Sequence, residues 1–432
     1  MRLRLRGLSA KFAVILSGEL VQSLFHFGVN IALVRSLVAY DYGLFAIVFT
    51  VGGIGITYIR SLVAVPATLF LARSLGRLAE RGHDVTFGAA ATLVALGLGG
   101  IVTLGLLPTL GLGALTGGAF VALYTFRAYL RIVLLARAAS RIAGFSDIAY
   151  AGSGTLFGAL LLHGDGTLLL DHAFIALALA HATGIAVAYA ALRQPVRLRF
   201  RPSLRRRYAA IWPTLVWSLV GITSTNIQGQ GLTLLFALIA GPAAYAPIAA
   251  TLVLFAPLRI PTNALTNMVL PEITGLLAGN RLEPARRLVT RSTAIIAAGC
   301  LVYGAAMWVG LPIIEHHLFK GRFLHEPMEL IGLGVWSVVT VSLLYAIPRA
   351  FLEAAAAFRD IAYGATVAAV IGFVVMVPVL LTVSPPWALA GLLASEAATA
   401  LWCWRCFGRR SRGDDPASDT SDAFVAGLPA RS

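Results

Sequence analysis

Charged residues are scarce in this 432-residue chain, at 12% of the whole. Soluble domains carry roughly 25%. A set of two or three soluble domains, which the length alone would suggest, is therefore excluded. Cysteine is scarcer still: Cys300, Cys403 and Cys406 cannot build a disulfide framework. The Cys403-Trp404-Arg405-Cys406 pair has no second pair to complete a metal site, so it reads as packing at the end of an apolar run. Acidic residues are the rarer charge, 19 against 34 basic ones. Long polar loops are missing as well, which leaves little room for an enzyme built on loops. What remains is 58% hydrophobic, with a mean hydropathy of +0.83.

Apolar runs of about 20 residues span a bilayer as helices. Twelve such spans are expected, at 12–34, 43–72, 87–108, 112–134, 148–163, 171–192, 209–238, 246–277, 290–314, 331–351, 361–383 and 387–404. The first follows Arg2, Arg4 and Arg6 and imitates a signal peptide. It is longer than a 7–15-residue signal core and contains Glu19, Gln22, His26 and Asn30, so it reads as a retained helix. Spans two, seven and eight are long, so tilt or kinks are expected, with Pro66 and Pro271 late in spans two and eight.

Basic residues collect on alternate loops, as the positive-inside rule requires. One side holds Arg2 to Lys11, Arg73 to Arg81, Arg137 and Arg141, the run 193–207, Arg281 to Arg291, Arg359 and the tail. The other holds Arg35, then nothing basic until Lys320 and Arg322. Both termini are therefore expected in the cytoplasm. This asymmetry accounts for the net charge of +15 without nucleic acid, and suits contact with anionic membrane lipids. The longest outer loop, 315–330, carries Glu315, His316, His317, His325 and Glu326, and reads as interfacial rather than metal-binding; no metal and no cofactor are expected. The tail, 406–432, reads as disordered.

Phe145-Ser146-Asp147-Ile148-Ala149-Tyr150 returns 213 residues later as Phe358-Arg359-Asp360-Ile361-Ala362-Tyr363. Each copy is read as preceding the fifth apolar run of its half. Val63 to Thr68 parallels Met268 to Ile273, and Tyr42-Gly43 parallels Tyr245-Ala246. The expected fold is an all-α polytopic membrane protein of two parallel six-helix bundles related by a pseudo-two-fold axis. The domains are 1–192, a basic cytoplasmic linker 193–208, a second bundle 209–405, and the tail.

Ile31-Ala32-Leu33-Val34-Arg35-Ser36-Leu37 followed by Tyr42-Gly43-Leu44-Phe45-Ala46 resembles the opening of the polysaccharide-exporter, or oligosaccharide-flippase, branch of the multidrug/oligosaccharidyl-lipid/polysaccharide (MOP) superfamily. Ala240-Gly241-Pro242, Tyr245-Ala246, Pro257 and Pro271 echo it in the second half. The resemblance covers about residues 10–407. It implies a non-enzymatic flippase for undecaprenyl-pyrophosphate-linked oligosaccharide in the bacterial inner membrane, working by alternating access. Polysaccharide polymerase and glycosyltransferases are partners of such a pathway.

Charge at mid-bilayer costs about 2.5–3.5 kcal/mol on insertion scales, so polar groups there face a cavity, a partner or the interface. Glu19, Gln22, His26 and Asn30 are spaced to share one helical face. So are Thr223, Asn226, Gln230 and Thr233 in span seven. Both faces are read as lining a wet cleft, against the plainer alternative of hydrogen bonds between helices. Arg60 and Arg259 each lie 13 residues from a span end, roughly 20 Å along the helix, with Asn263 one turn beyond Arg259. Arg127 has Tyr124 one turn away. Guanidinium groups bind phosphate oxygens bidentately, so Arg60, Arg259 and Arg127 are candidates for an anionic head group. Structural pairing, as of Arg60 with Glu19, or snorkelling of Arg127 are the alternatives. Arg131, Arg137 and Arg349 read as interfacial anchors. Glu19 is the candidate for ion coupling. A drug or cation antiporter of the same superfamily is the second reading, and a polytopic envelope glycosyl ligase the third.

Overall fold

The computed structural model describes residues 2–64, 67, 77–137, 139–161, 168–192, 203–355 and 357–412. Helix accounts for almost all of them, and none is in a strand. Among the described residues, six α-helices precede residue 193: α1 (Arg2–Ser36), α2 (Ala39–Ile59), α3 (Arg77–Leu110), α4 (Ala114–Ala136), α5 (Ser140–Leu161) and α6 (Leu169–Ala191). Nine follow: α7 (Ser203–Asn226), α8 (Leu232–Ala240), α9 (Pro242–Leu254), α10 (Ala256–Ala278), α11 (Leu282–Ile313), α12 (Met328–Leu344), α13 (Ala346–Ala354), α14 (Phe358–Thr382) and α15 (Leu389–Arg412). Among the described residues, six helical stretches are long and apolar enough to cross a membrane, or seven if α9 and α10 count as one bent span.

Three stretches widen into π-helix: Arg60–Ala64 after α2, Ile227–Gly231 between α7 and α8, and Ile314–Leu318 after α11. Single π turns carry one residue more than the α-helix allows and recur at functional sites. Proline makes the other breaks. Pro257 cannot donate to Val253 and its ring crowds that carbonyl, so α9 and α10 part at Phe255. Pro348 does the same to Leu344, and α12 and α13 part at Tyr345.

Contacts divide the chain into two compact units. The first comprises Met1–Asn226, Leu234–Leu254 and Ile314–Glu326; the second comprises Ile227–Thr233, Phe255–Ile313 and Pro327–Ser432. This grouping differs from the boundaries at 192 and 209 expected from the repeat. α7 and α9 group with the first unit because of what they touch. The Tyr208 hydroxyl donates to the Leu62 carbonyl (3.1 Å), and α9 packs along α2. Gly43 permits that last approach, since a Cβ there would drive into the Pro242 backbone. The two stretches that resemble the superfamily opening, Tyr42-Gly43 and Gly241-Pro242, are thus in contact.

In the first unit α5 packs on α1 and α6, and α4 packs on α2, α3 and α6. Its core gathers Ile59, Val63, Phe87, Tyr129, Leu130 and Val133. In the second unit α15 packs on α12 and α14, and α10 on α11 and α13.

Several expected boundaries move. α5 starts at Ser140, not at 148, so Phe145 to Tyr150 lie inside the helix rather than before it. Hydropathy missed this because the first two turns of α5 carry Ser140, Arg141, Ser146 and Asp147. The stretch after Glu315 is no simple loop: α11 runs on into the π segment, and Arg322 Nη2 donates to the Arg35 carbonyl (3.1 Å) at the end of α1. α15 continues to Arg412, seven residues into the expected tail, with Arg409, Arg410 and Arg412 complementing its C-terminal dipole. Pro66, Arg73, most of the 193–208 linker and residues 413–432 lie outside the described residues.

Candidate functional site

Two polar centres are buried in the apolar interior, one in each unit. The first is assembled on α1, α4, α5 and α6. Its centre is Asp147, 1% exposed. One carboxylate oxygen accepts from Arg127 Nη2 (2.5 Å), the other from Arg131 Nε (3.0 Å). The two arginines are four apart on α4 and so share a face. Arg127 is 4% exposed and reaches further, with Nη1 donating to Gln22 Oε1 (3.2 Å) on α1. Its guanidinium lies over the Tyr150 ring, 4.1 Å from the centroid, a cation–π contact. Glycine makes the room: a Cβ at Gly184 of α6 would come within 2.8 Å of Arg127 Nε, and one at Gly18 within 2.5 Å of Asp147 Oδ2.

Around this ionic core runs an aromatic shell. The Tyr150 hydroxyl is 3.0 Å from His26 Nε2, and its ring stacks on His181 at 4.4 Å. Tyr124 flanks His181 at 5.0 Å. His181 is fully buried, and neither ring nitrogen has a hydrogen-bond partner among the described residues. Ser146 Oγ donates to the Gly184 carbonyl (2.8 Å) and draws α5 against α6. Among the described residues, two of the ionised groups at the centre are positive and one is negative. An unscreened guanidinium here would be costly, and the carboxylate makes its burial tolerable.

The second centre surrounds Glu396 of α15, 9% exposed. The Tyr345 hydroxyl donates to Glu396 Oε2 (2.8 Å). Tyr345 occupies the break before α13, so the proline that opens the helix also positions this donor. Gln228, buried in the π segment, faces the carboxylate, with its Nε2 outside hydrogen-bond geometry. Arg259 and Arg349 lie within electrostatic reach, each in the first turn after a proline break. Arg349 itself pairs with Glu353 (3.1 Å). Arg131, for its part, belongs to the first centre through Asp147.

The sequence candidates distribute as follows. Gln22, His26 and Asn30 do share a face, and it turns into their own unit. Asn30 is buried, donating to the His26 carbonyl (2.8 Å) and accepting from the Tyr42 hydroxyl (3.4 Å). The Glu19 side chain lies outside what the structure describes. Arg127 joins the first centre. Asn226 is held by Thr57 (Nδ2 to Oγ1, 2.7 Å). Gln230 lies on the π segment, its Oε1 buried without a partner among the described residues. The extra residue of that segment brings Gln228 instead to the carboxylate. Arg60 opens the π segment after α2 and is exposed, as are Arg259 and Asn263. Asp147, Tyr150, His181, Glu396, Tyr345 and Gln228 were not candidates from sequence. Two signals were available: Asp147 stands in the repeated hexapeptide, and Glu396 is a charge inside an apolar run.

No protein-family model matches the sequence, and no curated protein does. Solved structures do match, along nearly the whole chain. An inward-facing multidrug-resistance MATE transporter of the MOP superfamily superposes with a TM-score of 0.66 at 14% identity, covering 91% of this chain and 95% of its own. The fold is MATE-like. An outward-facing MATE transporter of the MOP superfamily gives 0.54 at 13% identity, over 93% and 94% of the two chains. A MOP-superfamily transporter from Pyrococcus furiosus gives 0.51 at 12% identity over 93% of each; its binding pocket is described as reversed in polarity, suggesting a different function. The MATE-like fold thus accounts for the all-helical architecture.

Proposed function

We propose that the chain is a multi-pass transporter of the bacterial inner membrane that moves a lipid-linked oligosaccharide of the undecaprenyl-pyrophosphate type by alternating access. Twelve crossings in two parallel bundles, with both termini cytoplasmic, complete the reading. The observation that carries it is the charge state of the first centre. A site made for a cation keeps a carboxylate available. Here the buried carboxylate is already held by Arg127 and Arg131, and among the described residues guanidinium is in excess. Arg60 and Arg259 add further exposed guanidinium on helices interrupted beside them, by a π turn and by a proline break. Pyrophosphate suits such groups, because each can bind it through two parallel hydrogen bonds. Neighbouring Gln, Asn and Tyr groups suit sugar hydroxyls. The resemblance of residues 31–46 to the polysaccharide-exporter branch points the same way.

The test is transport in proteoliposomes of a fluorescent undecaprenyl-pyrophosphate oligosaccharide, set against efflux of a cationic dye. Glycan movement that falls at least tenfold in Arg60→Ala/Arg259→Ala, with Arg→Lys rescuing only in part, is the expected result. Dye efflux without glycan movement would overturn it.

A second reading, a cation-coupled antiporter, is favoured by Glu396. That carboxylate is held by a phenol and faces an amide. Cation-driven dye efflux abolished by Glu396→Gln is its signature.

A further inference from the structure

Arg127 and Arg131 point their donors at one spot, and Asp147 fills it. The spot has the features of an anion site. Two guanidinium forks converge from one face of α4, and Gln22 lies beside them on α1. The Nε of Arg127 is buried and makes no hydrogen bond to the described residues. Gly18 and Gly184 let α1 and α6 come close to the ion pairs, since a Cβ at either would press on Asp147 Oδ2 or on Arg127 Nε. The centre also reaches the surface, since the Arg131 side chain is 18% exposed and Gln22 is half-buried.

We propose that this is a binding site for the pyrophosphate of the cargo, and that Asp147 is its built-in competitor. The inference rests on the anionic-cargo reading above and adds a residue and a role to it. With Asp147 in place, an incoming dianion must share or displace the partner of both arginines. The binding-competent arrangement is then a minor one, and apparent affinity falls by the fraction of time the arginines are free. A carrier gains from that arrangement, because a site that binds too tightly cannot release. The competitor also balances the buried Arg127 guanidinium when no cargo is present. Asp147 is accordingly a tuning residue, and Arg127 and Arg131 are the ligands.

The experiment uses the full chain purified in detergent, with inorganic pyrophosphate as the probe, read by calorimetry and by thermal shift. Asp147→Asn keeps the shape and removes the competing charge. It is expected to bind pyrophosphate at least tenfold more tightly than the wild type. Arg127→Gln/Asp147→Asn is expected to lose that gain. Equal affinity in the wild type and in folded Asp147→Asn would overturn the proposal. If Asp147→Asn is not recovered folded, Arg131→Gln serves, since its side chain is partly exposed. A threefold or greater loss of pyrophosphate affinity supports the proposal, and no change overturns it. Undecaprenyl pyrophosphate in the same micelles separates the lipid head group from free anion. Tighter binding of the lipid form supports the lipid-linked source. A gain in Asp147→Asn with no preference for lipid supports the site and sinks the cargo reading.

Discussion

In the first copy of the repeated hexapeptide, Asp147 is buried beneath two arginines and Tyr150 is wedged between Arg127 and His181. In the second copy, Asp360 is half-buried and accepts one bond from Arg410 (2.8 Å), while Tyr363 is 60% exposed. The copies differ at one residue. Ser146 is small, buried and bonded to α6; Arg359, in the same place, is exposed and has no such role. Helix register differs too. The first copy begins at the sixth residue of α5, and the second copy opens α14. A buried face that includes Ser146, Asp147 and Tyr150 in α5 has moved round in α14 to Gly364, Ala365, Ala368 and Ala369. The repeat in sequence is therefore not a repeat in register or burial. The chemistry was kept, or acquired, in one copy.

The comparison can be broken most directly at the two aspartates. Asp147→Ala removes the carboxylate from both ion pairs and is expected to cost about 3–5 kcal/mol, the usual loss on breaking a buried pair. Asp360→Ala is expected to cost about 0–1 kcal/mol, as for a partly exposed pair. Denaturant unfolding in detergent measures both, and equal losses would end the distinction. Next in size is Gly184→Ala. Its Cβ would press on Arg127 and on the Ser146 carbonyl, so overpacking of about 1–3 kcal/mol is expected. Gly152→Ala, with open space at its Cβ on the same helix as Asp147, should be close to neutral. Tyr150→Phe keeps the ring over Arg127 and loses the bond to His26, about 0.5–1.5 kcal/mol. Tyr363→Phe should fall within about 0.5 kcal/mol of the wild type, as surface changes do. A Tyr150→Phe variant indistinguishable from Tyr363→Phe by thermal shift would reduce the first centre to its ion pairs.

Hydropathy made most of the helices legible, because an apolar run in this context has no other use. It also hid the first centre. Segmenting by apolarity cut α5 at Ile148 and left Asp147 in a supposed loop, although a helix shielded by its neighbours can begin with polar residues. Glu396 was legible in principle, since a carboxylate inside an apolar run demands a partner. Its partners were not. Tyr345 reaches it through a proline break and Gln228 through a π turn, and neither is announced by residue spacing. The face 223–226–230–233 assumed a regular helix. Asn226 obeys that assumption as far as Thr57, and the next turn does not.

The π segment at Ile227–Gly231 holds one residue of slack. Slack in a helix can be passed along it, one peptide at a time, as a wrinkle is moved along a carpet. The residues it crosses turn by about 100°, while the two ends of the helix need neither bend nor shift. Side chains on that stretch can thus be dialled between neighbours without a hinge. Removing Gly229 would delete the slack, leaving a rod in which Gln228 and Asn226 keep fixed bearings. The comparison of full-length and shortened chains would separate what this helix does by turning from what it does by moving.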